Sequence, residues 1–220
     1  MKPTPSGAPD RRGRFISLEG GEGAGKSTLL TGLHQALVEQ GIRVVQTREP
    51  GGTALGEAIR ALVLDPAHRG MAAETELLLM FASRAQLTRT VMAPALDAGN
   101  WVLCDRFADA SYAYQGGGRG QPHARIAELE RWACAGLQPD VTLLLDLPVV
   151  IGRDRIAGRG AADRIEVEAD AFFERVRATY RARARAEPAR FCVIDATQPP
   201  AAVLGAALAA VRTLVSGAQA

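Results

Sequence analysis

Eight residues constrain this chain more than any other feature: Gly20-Gly21-Glu22-Gly23-Ala24-Gly25-Lys26-Ser27. They fit the pattern GxxxxGK followed by Ser or Thr, directly after an apolar run at 15–18 and directly before a helical stripe of Leu29, Leu33 and Leu37. Glycines there let the backbone turn its N–H groups inward around phosphate oxygens, and the helix N-terminus behind them adds partial positive charge. Lys26 reaches the outer phosphates of a bound nucleotide, Ser27 can ligate magnesium, and Thr28 completes the turn. Lysine occurs in this chain only at Lys2 and Lys26, every other cation being Arg, so a lysine at this spot is not an accident of composition.

The remainder reads as one α/β domain. At 220 residues, 47% hydrophobic and 23% charged, the chain can bury a core without help from disulfides or metals. A formal net charge of +2, from 26 Lys and Arg against 24 Asp and Glu, is too even for wholesale binding of nucleic acid or an anionic membrane. Cys104, Cys134 and Cys192 form no CxxC pair and are odd in number, which favours a reducing compartment. With no apolar run near the roughly 18 residues of a membrane span and no secretory signal, the expectation is a soluble, cytoplasmic protein. Residues 1–12, rich in Pro, Gly and charge, are expected to be a disordered tail, leaving 13–220 as a single domain.

Short apolar runs alternating with helix-period segments predict a parallel sheet flanked by helices on both faces. Strands are expected at 15–18, 44–47, 101–104, 141–145 and 191–194. The leucine stripe should end at Gly41 in a left-handed cap, and further helices are expected at 55–64, 73–96, 124–135, 149–157, 170–186 and 201–215. The Gly-rich stretches 115–121 and 157–163 read as mobile loops.

A phosphate cradle alone leaves GTPases, ATPases and small-molecule kinases open. No NKxD motif is present, and the DxxG match at Asp10 to Gly13 precedes the cradle, which argues against a GTPase. What decides among the rest is a collinear series: the cradle, Thr47-Arg48-Glu49-Pro50-Gly51-Gly52-Thr53, Phe81 to Gln86, Asp105-Arg106-Phe107, Ala113-Tyr114-Gln115-Gly116-Gly117-Gly118-Arg119-Gly120 and Asp163-Arg164-Ile165-Glu166. From Arg14 to about Val211 the chain resembles the bacterial thymidylate kinases, within the nucleoside monophosphate kinases. The resemblance implies an adenylate-kinase-like P-loop NTPase fold with a five-stranded parallel sheet and a mobile lid at about 153–166. It also implies transfer of the ATP γ-phosphoryl to dTMP with Mg2+, and a homodimer.

The residues can meet those demands. Arg48 and Arg106 follow apolar strands, at the sheet edge where open α/β folds bind ligands, and a guanidinium fork suits the acceptor phosphate. By resemblance Phe81 stacks on thymine and Arg84 bonds its carbonyl edge. The family's stacking aromatic commonly lies four residues before that arginine, where this chain has Met80, so Met80 stays beside Phe81 as a candidate. The resemblance also implies that Tyr114 lies beneath the sugar, leaving no room for a 2′-hydroxyl, and that Ser111 and Gln115 reach the base or nearby backbone. Glu22 resembles the family carboxylate that contacts the 3′-hydroxyl and magnesium waters, and Asp105, ending a strand, organises the metal through water. Asp146 ends another strand but suits a helix cap as well.

Phosphoryl transfer depends on positioning and charge neutralisation, and a phosphate acceptor with a second pKa near 6 needs no general base. Some family members carry an arginine in the P-loop where this chain has Gly23; others supply it from the lid. Arg153, Arg155, Arg159 and Arg164 populate the lid region, and Arg159 matches best. Such an arginine is worth about 10³ to 10⁵ in rate. The catalytic set is therefore Lys26, Arg159, Glu22 and Asp105. The arginines of 175–190 read as a solvated helix face, and His34, His68 and His123 lack metal-ligand spacing. Two rivals remain: a deoxynucleoside kinase, which needs a carboxylate base and little positive charge at its acceptor, and a nucleotide-gated binding module.

Overall fold

The computed structural model describes residues 12–158, 160 and 162–219. Eleven of the twelve residues expected as a tail, and Arg159, lie outside the described residues. Each predicted apolar run forms a strand: β1 (Phe15–Gly20), β2 (Val44–Arg48), β3 (Trp101–Asp105), β4 (Val141–Asp146) and β5 (Phe191–Asp195). All five run further at the carboxyl end than the apolar pattern indicates, because the added residues, among them Gly20, Arg48, Asp105 and Asp146, are the polar and chemical ones. The sheet is parallel with order β2-β3-β1-β4-β5. Register pairs Arg48 with Asp105, Leu18 with Asp105 and Gly20 with Leu145, so these strand ends share one edge.

The helices are α1 (Lys26–Glu39), α2 (Ala54–Leu64), α3 (Ala73–Leu87), α4 (Ala93–Asp97), α5 (Ala108–Ser111), α6 (His123–Cys134), α7 (Val149–Ile156), α8 (Asp170–Ala186) and α9 (Pro200–Gln219). A 3₁₀ turn spans Pro66–His68, and wide π-type segments span Thr88–Met92 and Tyr112–Gly118. The single helix expected at 73–96 is thus interrupted by a wide turn just ahead of Pro94, which has no N–H to continue the ladder. No helix among the described residues is long and apolar enough to cross a membrane.

Leu29, Leu33 and Leu37, one turn apart on α1, pack with Ile16, Leu18, Leu143 and Val211 on one face of the sheet. Burying one such leucine is worth about 1.5–3 kcal/mol. On the other face Phe15, Val102, Phe107 and Leu96 form a second cluster, and Phe172, Phe173, Val176 and Tyr180 of α8 a third. All of β1 is buried, as expected of a central parallel strand covered on both faces. Helix α1 ends as predicted at Gly41, φ +79, where Gly41 N donates to Val38 O and Ile42 N to Leu37 O.

Two expectations need correction here. The stretch 115–121 is not a mobile loop: Gln115 to Gly118 lie in the π-type helix, with Gln115 and Gln121 buried. Its glycines serve close packing, since a Cβ on Gly117 would lie 2.1 Å from Thr179 Oγ1 and one on Gly118 2.4 Å from the Phe172 ring. The solvated face expected of the arginines in 175–190 holds only in part: Arg175, Arg181 and Arg185 are exposed, yet most of these side chains are tied to protein groups. Arg175 donates to Gly117 O and Gly118 O, Arg177 grips Asp146 at 2.7 and 3.1 Å, and Arg183 meets the buried carboxylate of Asp109, as does Arg190 at 2.6 Å. Asp146 is therefore an ion-pair partner, and the cap position of α7 is Pro148.

Candidate active site

Where the chain leaves β1 it has to turn sharply into α1, and Gly20, Gly23 and Gly25 supply positive φ values of +143, +70 and +89. Helix α1 has no side-chain cap and no acidic residue in its first turn, so its leading N–H groups are open to an anion. Residues 22–28 line one side of a cleft of about 300 Å³. Lys26, 8% exposed, donates from Nζ to Gly20 O (3.1 Å) and Gly21 O (2.9 Å), so its ammonium is held over the cradle by the cradle's own carbonyls. Burial and the nearby Arg106 charge draw the Lys26 pKa down, against Glu22 and Asp105. Gly23 packs so tightly on α7 that a Cβ would meet Gly152 O at 2.3 Å, which leaves no room for an arginine at this place in the loop.

The facing side is assembled from scattered elements: Arg48 from β2, Arg60 from α2, Met80 from α3, Asp105 and Arg106 from the end of β3, and Tyr114 and Gln115 from the π-type helix. Arg106 has φ +71, rare for a residue with a side chain, and its NH1 runs back to Gly20 O at 3.0 Å. Its NH2 donates to Glu22 Oε1 (2.7 Å) and to Tyr114 Oη (3.0 Å), while Tyr114 Oη donates to the same Glu22 oxygen at 2.8 Å. One guanidinium thus ties the cradle to the opposite wall. Burial alone would raise the Glu22 pKa, but Arg106 and Lys26 hold it below the usual carboxylate value. Asp105 Oδ1 is buried and without a hydrogen-bond partner among the described residues. An unmet carboxylate oxygen and the Ser27 hydroxyl, in residues that both line a cleft with a phosphate cradle, fit a magnesium ion carried largely by water and phosphate.

Beneath Arg106 lies a second buried carboxylate. Glu19 accepts from Phe107 N and from Tyr180 Oη, both at 2.7 Å, and Tyr180 Oη in turn accepts from Arg106 NH1 at 3.2 Å. Burial, helped by the charge of Asp109, pushes the Glu19 pKa up to about 8.

The family model for thymidylate kinase matches residues 18–206. A thymidylate kinase of Pseudomonas syringae pv. tomato is 59% identical over 186 residues, covering 84% of this chain and 89% of the relative. One of Halorhodospira halophila is 56% identical, covering 86% and 88%, and one of Bordetella pertussis is 53% identical, covering 94% and 98%. The chain belongs to the thymidylate kinase family. Glu22 to Thr28, Arg48, Asp105, Arg106, Tyr114 and Gln115, all chosen from sequence, converge on this family member's cleft, with Gly20 and Gly21 just behind it.

Three expected contacts lie elsewhere. Phe81 is 3% exposed and packs with Leu77, Tyr112 and Ile126, whereas Met80 lines the cleft. Arg84 is fully buried behind the wall, bonded to Glu49 (2.6 Å), Ser111 Oγ (3.1 Å) and Phe107 O (3.1 Å), so neither Arg84 nor Ser111 lines the cleft. Of the lid-region arginines, Arg153 bonds Asp170 and two carbonyls, Arg155 bonds Ala196 O at 3.0 Å and Gly23 O of the cradle at 3.4 Å, and Arg164 bonds Glu76. Arg60 went unmarked in the sequence. It lines the cleft and donates to Pro50 O at 3.1 Å, but lies mid-helix among ordinary neighbours, with nothing local to distinguish it. Asp163 and Glu166, from the foot of the lid segment, line the cleft too.

Proposed function

We propose that this thymidylate kinase family member transfers the γ-phosphoryl group of ATP to dTMP, giving dTDP and ADP for dTTP synthesis. The observation that carries the reading is a single cleft with two anion sites: the uncapped start of α1 with Lys26 on one side, and Arg48, Arg60 and Arg106 on the other. ATP occupies residues 20–28, and the dTMP phosphate meets the guanidinium groups. Its attacking oxygen is already largely deprotonated at neutral pH, so no residue has to take a proton. Lys26 and the arginines neutralise charge as it spreads over the transferring group. Ser27 and Asp105, the latter through water, would hold Mg2+, which would supply positive charge to screen the phosphates.

Tyr114, fixed by Glu22 and Arg106, lies under the sugar and excludes a 2′-hydroxyl, and Glu22 takes the 3′-hydroxyl. Met80 forms the base platform, its polarizable sulfur serving where an aromatic ring is common. Arg84 and Ser111 act from behind that wall. Arg159 supplies the inserted cation, with Arg155, which already donates to Gly23 O of the cradle at 3.4 Å, as the alternative; Arg153 and Arg164 are engaged elsewhere. Exposed Leu78 on α3 and Trp132 on α6, 57% and 77% accessible, suit a helix-packed homodimer, and the three free cysteines suit a reducing cytoplasm. ADP release measured across nucleoside monophosphates, with thymidine alongside, tests the reading. dTMP should be fastest. Thymidine turned over in preference to dTMP would transfer the chain to the deoxynucleoside kinases.

A further inference from the structure

Glu19, near the end of β1, and Tyr180, on α8, are almost wholly buried, and neither lines the cleft. Their polar groups nevertheless converge on Arg106 by two routes. Glu19 Oε1 accepts at 2.7 Å from Phe107 N, the peptide N–H directly after Arg106. Glu19 Oε2 accepts from Tyr180 Oη at 2.7 Å, and Tyr180 Oη accepts from Arg106 NH1 at 3.2 Å. The first route fixes backbone and the second fixes the guanidinium.

Arg106 needs both. At φ +71 its backbone lies in the left-handed region, which a side chain disfavours, so the conformation persists only while its neighbours hold it. Arg106 N donates to Leu18 O at 2.9 Å, the Arg106 carbonyl accepts from Cys104 Sγ at 2.9 Å, and Phe107 N closes the turn on Glu19. The guanidinium is equally constrained. Its terminal N–H groups are shared out among Gly20 O, Tyr180 Oη, Glu22 Oε1 and Tyr114 Oη. Glu22 and Tyr114 line the cleft, where a nucleotide competes for them, and Gly20 O is shared with Lys26 Nζ. Tyr180 lies behind the wall, and its hydroxyl is itself held by Glu19.

We propose that Tyr180, anchored by Glu19, is a positioning residue for the acceptor phosphate: from behind the wall the pair hold the Arg106 guanidinium where the phosphate of the monophosphate lands. The inference rests on the dTMP reading above, in which Arg106 meets that phosphate. A charge fixed in advance need not be reorganised when the anion arrives, so loosening a support that never touches substrate weakens phosphate binding.

The test is the binding of dTMP and of thymidine, which carries the same base and sugar without the phosphate. Titration calorimetry gives both dissociation constants for the wild type, Tyr180→Phe, Glu19→Leu, Arg106→Ala and the Arg106→Ala, Tyr180→Phe double variant. Their ratio, thymidine over dTMP, reports the phosphate alone. Tyr180→Phe keeps the ring that packs edge-on against Tyr114, and its ratio should fall between about twofold and about tenfold, the range of one hydrogen bond. A merely structural role for Tyr180 weakens both ligands alike and leaves the ratio alone; that result overturns the proposal. Glu19→Leu removes both routes and should lower the ratio at least as far, so it carries the test if Tyr180→Phe does not fold, and an unchanged ratio in it is equally fatal. With Arg106 already alanine, Tyr180→Phe should have no further effect on the ratio; a second fall of the same size shows that Tyr180 acts by another route and overturns the proposal. Wild-type protein that binds thymidine as tightly as dTMP removes the phosphate-binding reading of Arg106 and this proposal together, whereas a wild type that prefers dTMP, with variants that keep its ratio, removes only the proposal.

Discussion

The two sides of the cleft are built on opposite plans. The side proposed for ATP is a continuous stretch of chain whose working parts are backbone N–H groups and one ammonium, which is bonded to carbonyls of its own loop. The side proposed for dTMP draws on β2, α2, α3, the end of β3 and the π-type helix, and its working parts are side chains already engaged with other protein groups. Arg48 pairs with Glu57 at 2.8 Å, Arg60 with Pro50 O, and Arg106 with Glu22 and Gly20 O. A backbone cradle tolerates changes in most side chains around it. A cage of paired side chains is coupled, so losing one member leaves others unsatisfied.

The largest effect should come from the one side chain on which the ATP side depends. Lys26→Ala is expected to lower turnover by about 10³ or more while leaving dTMP affinity within a few-fold, read by steady-state kinetics beside dTMP titration calorimetry. Equal loss of dTMP binding would erase the contrast between the two sides. Arg106→Ala should come next, with kcat/KM for dTMP down about 10²- to 10³-fold, because it removes a phosphate contact and also strips partners from Glu22 and Tyr114. Arg106→Lys keeps the charge without the fork and should fall between wild type and alanine. If lysine restores full activity, the coupling ascribed to the fork is absent.

The same contrast explains what sequence reading could reach. Residues 20–28 were legible because their chemistry is local and their spacing fixed. The five strands were legible as apolar runs, yet every one was read short at the end that carries Gly20, Arg48, Asp105, Asp146 or Asp195, since apolarity marks cores and not edges. Met80, not Phe81, lines the cleft, a difference of one residue in helical phase, about 100° of rotation. Arg60 has no local signature. The α8 arginines looked solvated because their partners, Asp109, Asp146 and the carbonyls of Gly117 and Gly118, are far away in the chain.

Glu19, beneath the acceptor side, is a buried carboxyl that holds its proton. Its pKa is raised by burial to about 8 from an ordinary 4.5, so the folded protein holds a proton that the unfolded chain has lost over that interval. The stabilisation is complete below about pH 4.5 and is lost as pH rises through about 8, a change of up to a few kcal/mol. Glu49, pushed by burial to about 7 against the pull of Arg84, contributes with the same sign. Glu19→Gln, which cannot ionise, should lose less stability between pH 5 and 9 than the wild type in urea unfolding. Parallel slopes for the two proteins would mean that Glu19 is ionised throughout.

The smallest effect is the most discriminating, because it asks which of two adjacent residues faces the base. Met80 lines the cleft and Phe81 is packed against Leu77, Tyr112 and Ile126, with Arg84 stacked 4.4 Å from its ring. A thioether against an aromatic ring is worth about 0.3–1.5 kcal/mol, so Met80→Ala should raise the KM for dTMP between about twofold and about tenfold, with KM for ATP unchanged. Phe81→Leu should do the reverse, lowering the melting temperature through poorer packing while leaving KM for dTMP near the wild-type value. Met80→Phe places a flat ring where a flexible chain now lies; it should bind dTMP at least as well only if the wall has room for it, since the neighbouring Ile59 and Val63 are already packed against Met80. If Phe81→Leu raises KM for dTMP more than Met80→Ala does, α3 turns its other face to the nucleotide when substrate binds, and the acceptor side is less preorganised than its paired charges imply.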